Sequence, residues 1–332
     1  MTNSAKKEEL FSDDDSDEDT EISNYDESDT ATLRKFQTFL KDFKNEKGDS
    51  TTTIVDRTSG CYGIQPETKE SKKFFKYLKE LDKVPDMMYE KQHENRGGLM
   101  IDLDMYFKKN TVVVKPKHRR DFCEMVSKLM FECFDVSKIH QAVIIKQLPT
   151  KEGKKVLMEV PEKKCFKDGF HVLVPDVLMT KDMRKFFLSE LSKRFKELAS
   201  WSGLKLIGDS LDEASAYVGV HFIGSATKVG KKPYELETVF SSVLSQMTDI
   251  TKNVERRGYN VPLEFSVNEW GGEKLITKKN EHFKESMDEK FDIWRNEQEM
   301  KQQKKQEDDN KYTPTLGQRE EVANDELGFI GH

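Results

Sequence analysis

Apolar residues recur along this chain in two rhythms. At spacings of three and four they form helical stripes. One holds Leu33, Phe36, Phe39, Leu40 and Phe43, and a second Phe74, Phe75, Leu78 and Leu81. A third holds Phe122, Met125, Val126, Leu129, Met130, Cys133 and Phe134. A fourth holds Phe187, Leu188, Leu191, Phe195 and Leu198, with Thr180 ahead of it as an N-cap. The pattern over Leu236–Met247 predicts a fifth helix. Strand-like runs alternate with these: Leu99–Phe107, Thr111–Val114, Ile139–Lys146, Val156–Val160, Phe170–Val174 and Ala216–Ile223. In the last, Ala216, Val218, Val220 and Phe222 alternate with polar or small residues, the period of a half-buried strand. Some runs are close neighbours joined by short loops, and others are separated by helices. That mixture predicts an α+β fold with a largely antiparallel sheet.

Both ends lose the rhythm. Residues 1–30 hold almost no large apolar groups, and from about residue 296 onward the chain is polar on every face. The expected organisation is a disordered acidic tail over 1–30, one domain over 31–275, and a polar helical or disordered linker over 276–332. Of the 332 residues 35% are hydrophobic and 35% charged, in keeping with an unpacked fraction. The tail carries twelve acids against two lysines, a local charge of −10, whereas the whole chain is −6. The remainder therefore carries +4, and an acidic overall balance hides a body suited to phosphates. Cys61, Cys123, Cys133 and Cys165 form no CxxC pair, which argues against a zinc ribbon and for a reducing compartment. No apolar run approaches a membrane span, and the N-terminus has no apolar signal core.

Three stretches carry chemistry. In GGLMIDLDMYF, residues 97–107, Asp102 and Asp104 fall on one strand face while Ile101, Leu103 and Met105 fall on the other. Two carboxylates about 7 Å apart repel unless cations sit between them, and such a pair can bridge Mg²⁺ or Mn²⁺ ions in phosphoryl transfer. In KKCFKDGFHVLVPD, residues 163–176, His171 opens an apolar strand, Gly169 permits close backbone approach, and Lys167 with His171 suits a nucleotide's phosphates. In LIGDSLDEASAYVGVHFIGSATKVGKK, residues 206–232, Asp209 and Asp212 precede a strand, and a Gly224-Ser225 turn leads to Lys228, Lys231 and Lys232. The last stretch lacks the second glycine of a Walker A loop. Taken singly, each motif has a plain counterpart: surface acids on an edge strand, a core histidine, a solvated lysine turn.

In order, these motifs resemble the archaeo-eukaryotic primase superfamily, closest to the primase portion of primase-helicases of large nucleocytoplasmic DNA viruses. The resemblance covers roughly residues 85–245. It implies the superfamily's catalytic core, an RRM-like sheet, here with an additional N-terminal α/β module. It also implies primer synthesis on a single-stranded DNA template from NTP or dNTP, with a helicase ATPase in the same or another polypeptide. By resemblance Asp102, Asp104 and Asp212 hold two Mg²⁺ or Mn²⁺ ions, with Asp209 the less favoured third acid. Gly169, His171, Lys167, Ser225 and Lys228 are then the nucleotide-binding set. Tyr217-Val218-Gly219-Val220-His221 departs from the family pattern, in which an Asn or Arg often follows the third acid. The implied setting is a viral replication site in the cytoplasm or nucleus. The alternative expectation is a non-catalytic module that binds single-stranded nucleic acid or scaffolds a helicase.

Overall fold

A computed structural model describes residues 27–311, apart from 269–278 and positions 48, 51, 82, 113, 147, 152–153, 199–200, 202–203, 205, 207–210, 229–230, 245 and 281. The acidic tail up to residue 26 and the segment after 311 lie outside the described residues, as does Asp209. Among the described residues no helix is long and apolar enough to cross a membrane.

The described residues begin with α1 (Glu27–Lys41), so residues 27–30 of the expected tail are helical. Strands β1 (Lys44–Asn45), β2 (Ile54–Asp56) and β3 (Gly60–Tyr62) follow, then α2 (Lys69–Glu80) and β4 (Met88–Glu90). Phe36, Phe39 and Leu40 of α1 meet Phe74, Phe75 and Leu78 of α2 in a core shared with Ile54 and Tyr62. Thr68 starts α2 by accepting a hydrogen bond from the Ser71 N–H at 3.1 Å. This small module closes with a five-stranded sheet ordered β1-β3-β2-β4-β12, whose last strand, β12 (Val220–His221), arrives from far along the sequence.

The larger sheet has eight strands among the described residues. Its path runs β11 (Leu211–Asp212), β5 (Gly97–Phe107), β10 (Cys165–Met179), β6 (Lys138–Lys146), β13 (Tyr234–Val243) and β14 (Gln246–Asp249). Strands β9 (Met158–Val160) and β15 (Lys279–Asn280) also pair with β10, and β15 alone is parallel. A separate hairpin joins β7 (Thr150–Lys151) to β8 (Lys154–Lys155). One face of the large sheet is buried under α3 (Pro116–Cys133) and α4 (Lys181–Phe195), with Leu99, Ile101, Leu103, Met105, Phe170 and Val172 pointing into that core. The other face is divided. Its far half, with Met100, Leu173, Ala142 and Val239, lies under Val254 of α5 (Thr251–Arg257) and under Phe265 and Val267, just past α6 (Val261–Glu264). Its near half holds Asp102, Asp104 and His171.

Four expectations are corrected. Leu236–Met247 is not a helix but most of β13 and the first half of β14. A register irregularity between Leu236 and Thr238 puts Leu236 and Val239, three residues apart, in the same cluster, so a bulged strand imitates helical spacing. The run Ala216–Ile223 contributes only Val220–His221 to a sheet. Its start is a 3₁₀ turn, Glu213–Ala216, whose last two carbonyls are bonded by side chains rather than a ladder: Arg184 Nε donates to Ala216 O at 2.8 Å and Gln92 Nε2 to Ser215 O at 2.7 Å. Thr111–Val114 pairs with no strand among its described residues, and the buried Val114 simply plugs the main core. The segment 276–332, read as polar, sends Phe283 and Met287 into the same core, with Phe291 and Trp294 packed against it from α7 (Glu285–Lys311).

Candidate active site

Strand pairing assembles the site. In the β5–β10 register His171 stands opposite Asp102, and Gly169 opposite Asp104. On the other edge of β5, Asp212 of β11 also stands opposite Asp102. Residues paired directly across antiparallel strands share a face. Asp212, Asp102 and His171 therefore form one row, and Asp104 and Gly169 begin the next. A Cβ on Gly169 would lie 2.7 Å from the Leu103 carbonyl oxygen and 3.2 Å from Asp104 Oδ1. Glycine here lets β10 close tightly on the acidic strand and leaves a bare floor beside the carboxylates.

The two acids of β5 are balanced differently. Asp104 Oδ2 pairs with Lys167 Nζ at 2.7 Å. Burial and the charge of Asp102 nevertheless keep the Asp104 carboxyl above its ordinary pKa, Lys167 opposing them. Burial is the largest influence on Asp102 and would raise it, but the charge and close contact of His171 together with the charge of Lys167 outweigh it and hold that carboxyl below the usual value. Burial lowers and Asp102 raises the His171 pKa, and the net effect is upward. His171 Nε2 sits 3.3 Å from Asp102 Oδ1, an ion-pair contact without hydrogen-bond geometry, so that buried oxygen has no hydrogen-bond partner. The third acid is partly engaged: Asp212 Oδ1 accepts the Ala214 N–H at 2.8 Å and caps the 3₁₀ turn.

Several residues that the sequence did not single out complete the surroundings. Tyr234 packs its ring 4.7 Å from that of His171, and His221 lies 5.8 Å beyond Tyr234. Burial, then the charge of His171, pushes His221 down to about 4, which keeps it neutral. Lys146 ends β6 opposite Tyr234, one step past the pairing of Ile145 with Phe170, and so flanks the Gly169 floor. Burial and then the charges of Lys167 and Lys231 lower its pKa, with Lys228 adding to them and Asp104 opposing. Lys167, Lys228 and Lys231 are thus each close enough to Lys146 to repel it. Lys146 closes an apolar run, KIHQAVIIK, and that is the only signal that sequence offers for it.

Ser225 departs from its expected role. Its side chain is fully buried; Oγ donates to Pro85 O at 2.9 Å and accepts from Met88 N at 3.1 Å. It fastens the turn after β12 to the small module and does not face the carboxylates with a free hydroxyl. Arg184, wholly buried, clasps the turn that follows Asp212, donating to Ala216 O, to Met179 O at 2.7 Å and to His93 O at 2.7 Å.

Hard divalent cations prefer carboxylate oxygens, and the orphaned, buried Asp102 Oδ1 is a donor of that kind. The donor chemistry fits Mg²⁺ or Mn²⁺. Among the described residues, however, no three acidic, histidine or cysteine side chains are gathered tightly enough to enclose one ion, because Asp104 is turned to Lys167 and Asp212 to its own turn.

A protein of African swine fever virus strain Badajoz, named "Putative primase C962R", is 28% identical over 249 residues, which cover 70% of this chain and 24% of that protein. Its counterpart in isolate Tick/Malawi is 27% identical over the same length. The chain thus spans about a quarter of the length of these relatives. A family model described as the C962R protein N-terminal AEP domain, an archaeo-eukaryotic primase domain, matches residues 51–240. That interval takes in β5, β10, β11 and Lys146, and on this match over more than half of its length the chain belongs to that archaeo-eukaryotic primase family.

Proposed function

We propose that this chain carries a metal-dependent nucleotidyltransferase centre that extends a primer on a single-stranded DNA template from NTP or dNTP. The observation that carries the reading is the row Asp212–Asp102–His171, set beside the Gly169 floor and four lysines. In the reaction a 3′-hydroxyl oxygen attacks the α-phosphorus of the incoming nucleotide. The bond to the β-phosphate bridging oxygen breaks, pyrophosphate leaves, and the hydroxyl proton passes to solvent. Mg²⁺ or Mn²⁺ held by Asp102, Asp104 and Asp212 supplies Lewis-acid stabilisation of the charge on the reacting oxygens. The chain's own residues bind and orient. His171, charged through its contact with Asp102, donates to a triphosphate oxygen, and Tyr234 fixes its ring. Lys146, Lys228 and Lys231 neutralise the polyphosphate, which lies over Gly169 where no side chain intrudes. Lys167 exchanges Asp104 for phosphate as the nucleotide arrives.

The Asp104–Lys167 pair also suits a second reading, a nucleic-acid-binding module whose acids are neutralised within the protein. Mn²⁺-dependent extension of a primed template separates the two. The proposed centre extends the primer, and Asp102→Asn and Asp104→Asn each reduce extension by orders of magnitude while the protein stays folded. Extension that is absent from the wild type, or unaltered in both variants, refutes catalysis at this site. The partners of this reading are the template strand, the nucleotide and a helicase ATPase.

A further inference from the structure

The acidic face of β5 does not stop at Asp104. The next residue on that face is Tyr106, paired across the sheet with Lys167. Its ring is half-buried and carries a lysine ammonium against it: Lys163 Nζ lies 4.3 Å from the ring centroid, with Lys167 Nζ at 5.9 Å. The segments that carry and approach this ring are basic. Lys108 and Lys109 follow β5 directly, and Lys163 and Lys164 end the 3₁₀ turn Pro161–Lys163; all four are exposed. Two acids are nearby in sequence. Glu159 is paired with Phe166, whose side chain belongs to the opposite face of the sheet, and Glu162 sits on the turn itself. The patch therefore presents an aromatic plane with Lys163 and Lys167 against it and three further exposed lysines adjoining those elements in sequence, in line with Asp104 and Asp102 along one strand.

We propose that Tyr106 with Lys108, Lys109, Lys163 and Lys164 forms a binding platform for single-stranded nucleic acid, along which the strand enters the carboxylate site. A base has a π-face that stacks on a tyrosine whatever its identity, and the phosphates on either side take the lysines. Stacking is also a use for a ring already approached by Lys163, since a base and an ammonium can occupy different parts of one aromatic surface. The acids lie two and four residues along the same strand face, so a base on Tyr106 brings its neighbouring phosphodiester toward them. The direction of the strand rests on the nucleotidyl-transfer reading above; the binding does not.

The test is fluorescence anisotropy of a labelled oligothymidylate with the full chain, without nucleotide or divalent metal, across a range of salt. Tyr106→Leu weakens binding about tenfold, the loss expected when one base gives up an aromatic partner, and Tyr106→Phe keeps it within about twofold. The double variant Lys163→Ala/Lys164→Ala lowers the slope of log affinity against log salt by roughly 0.7 for each lysine removed. Because these lysines are exposed, that variant keeps its fold, and melting curves confirm the fold of Tyr106→Leu. Unchanged affinity in Tyr106→Leu together with an unchanged salt slope in the lysine variant overturns the platform, even if the wild type extends primers. Loss of binding in both, with a wild type that extends nothing, upholds the platform while refuting catalysis.

Discussion

Gly169→Ala tests the site through the smallest possible change. The added methyl would lie 2.7 Å from the Leu103 carbonyl oxygen and 3.2 Å from Asp104 Oδ1. The first neighbour is backbone and cannot rotate away, so β5 and β10 must part by roughly 0.7 Å to reach an ordinary contact of about 3.4 Å. Overpacking of this size typically costs about 1–3 kcal/mol. The displacement falls on the residue between Asp102 and Asp104, the two acids that need fixed geometry. A misplacement near 1 Å can cost on the order of a hundredfold in rate, so extension should fall by about ten- to a hundredfold, well beyond what the stability loss produces below the melting temperature. Thermal melting gives the first quantity and primed-template extension the second, both on the full chain. Gly219→Ala is the companion control. Its Cβ would collide with the Tyr89 ring, a side chain of the small module that pairs with His221 rather than with the acidic strand, so it should lower the melting temperature and reach the site only indirectly through β12, with a smaller kinetic penalty than Gly169→Ala. If Gly169→Ala extended primers at the wild-type rate, the claim that this glycine sets the spacing of the acidic strand would be wrong.

In metal-free protein, His171 titrates above its ordinary 6.5; Asp102→Asn removes the charge that raises it and leaves burial, so the histidine value followed by NMR should fall below 6.5. By the same linkage, the stability that His171 contributes is full below pH 6.5 and lost as pH rises through its folded value, whereas that of Asp102 is lost as pH falls through its own lowered value; a stability profile without this loss on the alkaline side contradicts the pairing. Ser225→Ala leaves the Met88 N–H and Pro85 carbonyl without their hydroxyl and should cost about 1–3 kcal/mol with nucleotide KM unchanged; a selective rise in KM would return Ser225 to the site. Lys146→Ala should raise nucleotide KM about tenfold, with partial recovery in Lys146→Arg, since the position supplies charge beside the Gly169 floor. Arg184→Met strands three carbonyls in the interior and should destabilise by roughly 3 kcal/mol or more; a loss under 1 kcal/mol would mean that the clasp behind Asp212 is redundant.

What could be read from the sequence depended on how local each constraint was. Asp102 and Asp104 were legible because a two-residue spacing on a strand settles their common face without knowledge of any other element. The helix of Phe122 to Cys133 and the cap at Thr180 were legible for the same reason, being decided within one or two turns. Lys146 and Tyr234 were not, because each owes its place to pairing with strands distant in the chain, and nothing beside them in sequence marks the face they take. The β13 error has the same origin in sharper form. Leu236, Val239, Phe240 and Val243 fall at helical intervals, and the residue that breaks the strand's period is a bulge whose existence depends on β6. Ser225 shows the converse: a polar residue in a Gly-Ser turn before lysines looks available for phosphate, yet the small module folds back and consumes its hydroxyl. The small module therefore affects the site by packing rather than by supplying ligands. It pins the segment from β12 to the lysine turn, and with it His221 against Tyr234 and Tyr234 against His171, so the histidine that faces the carboxylates is oriented by a module whose own sequence carries none of the site's acids.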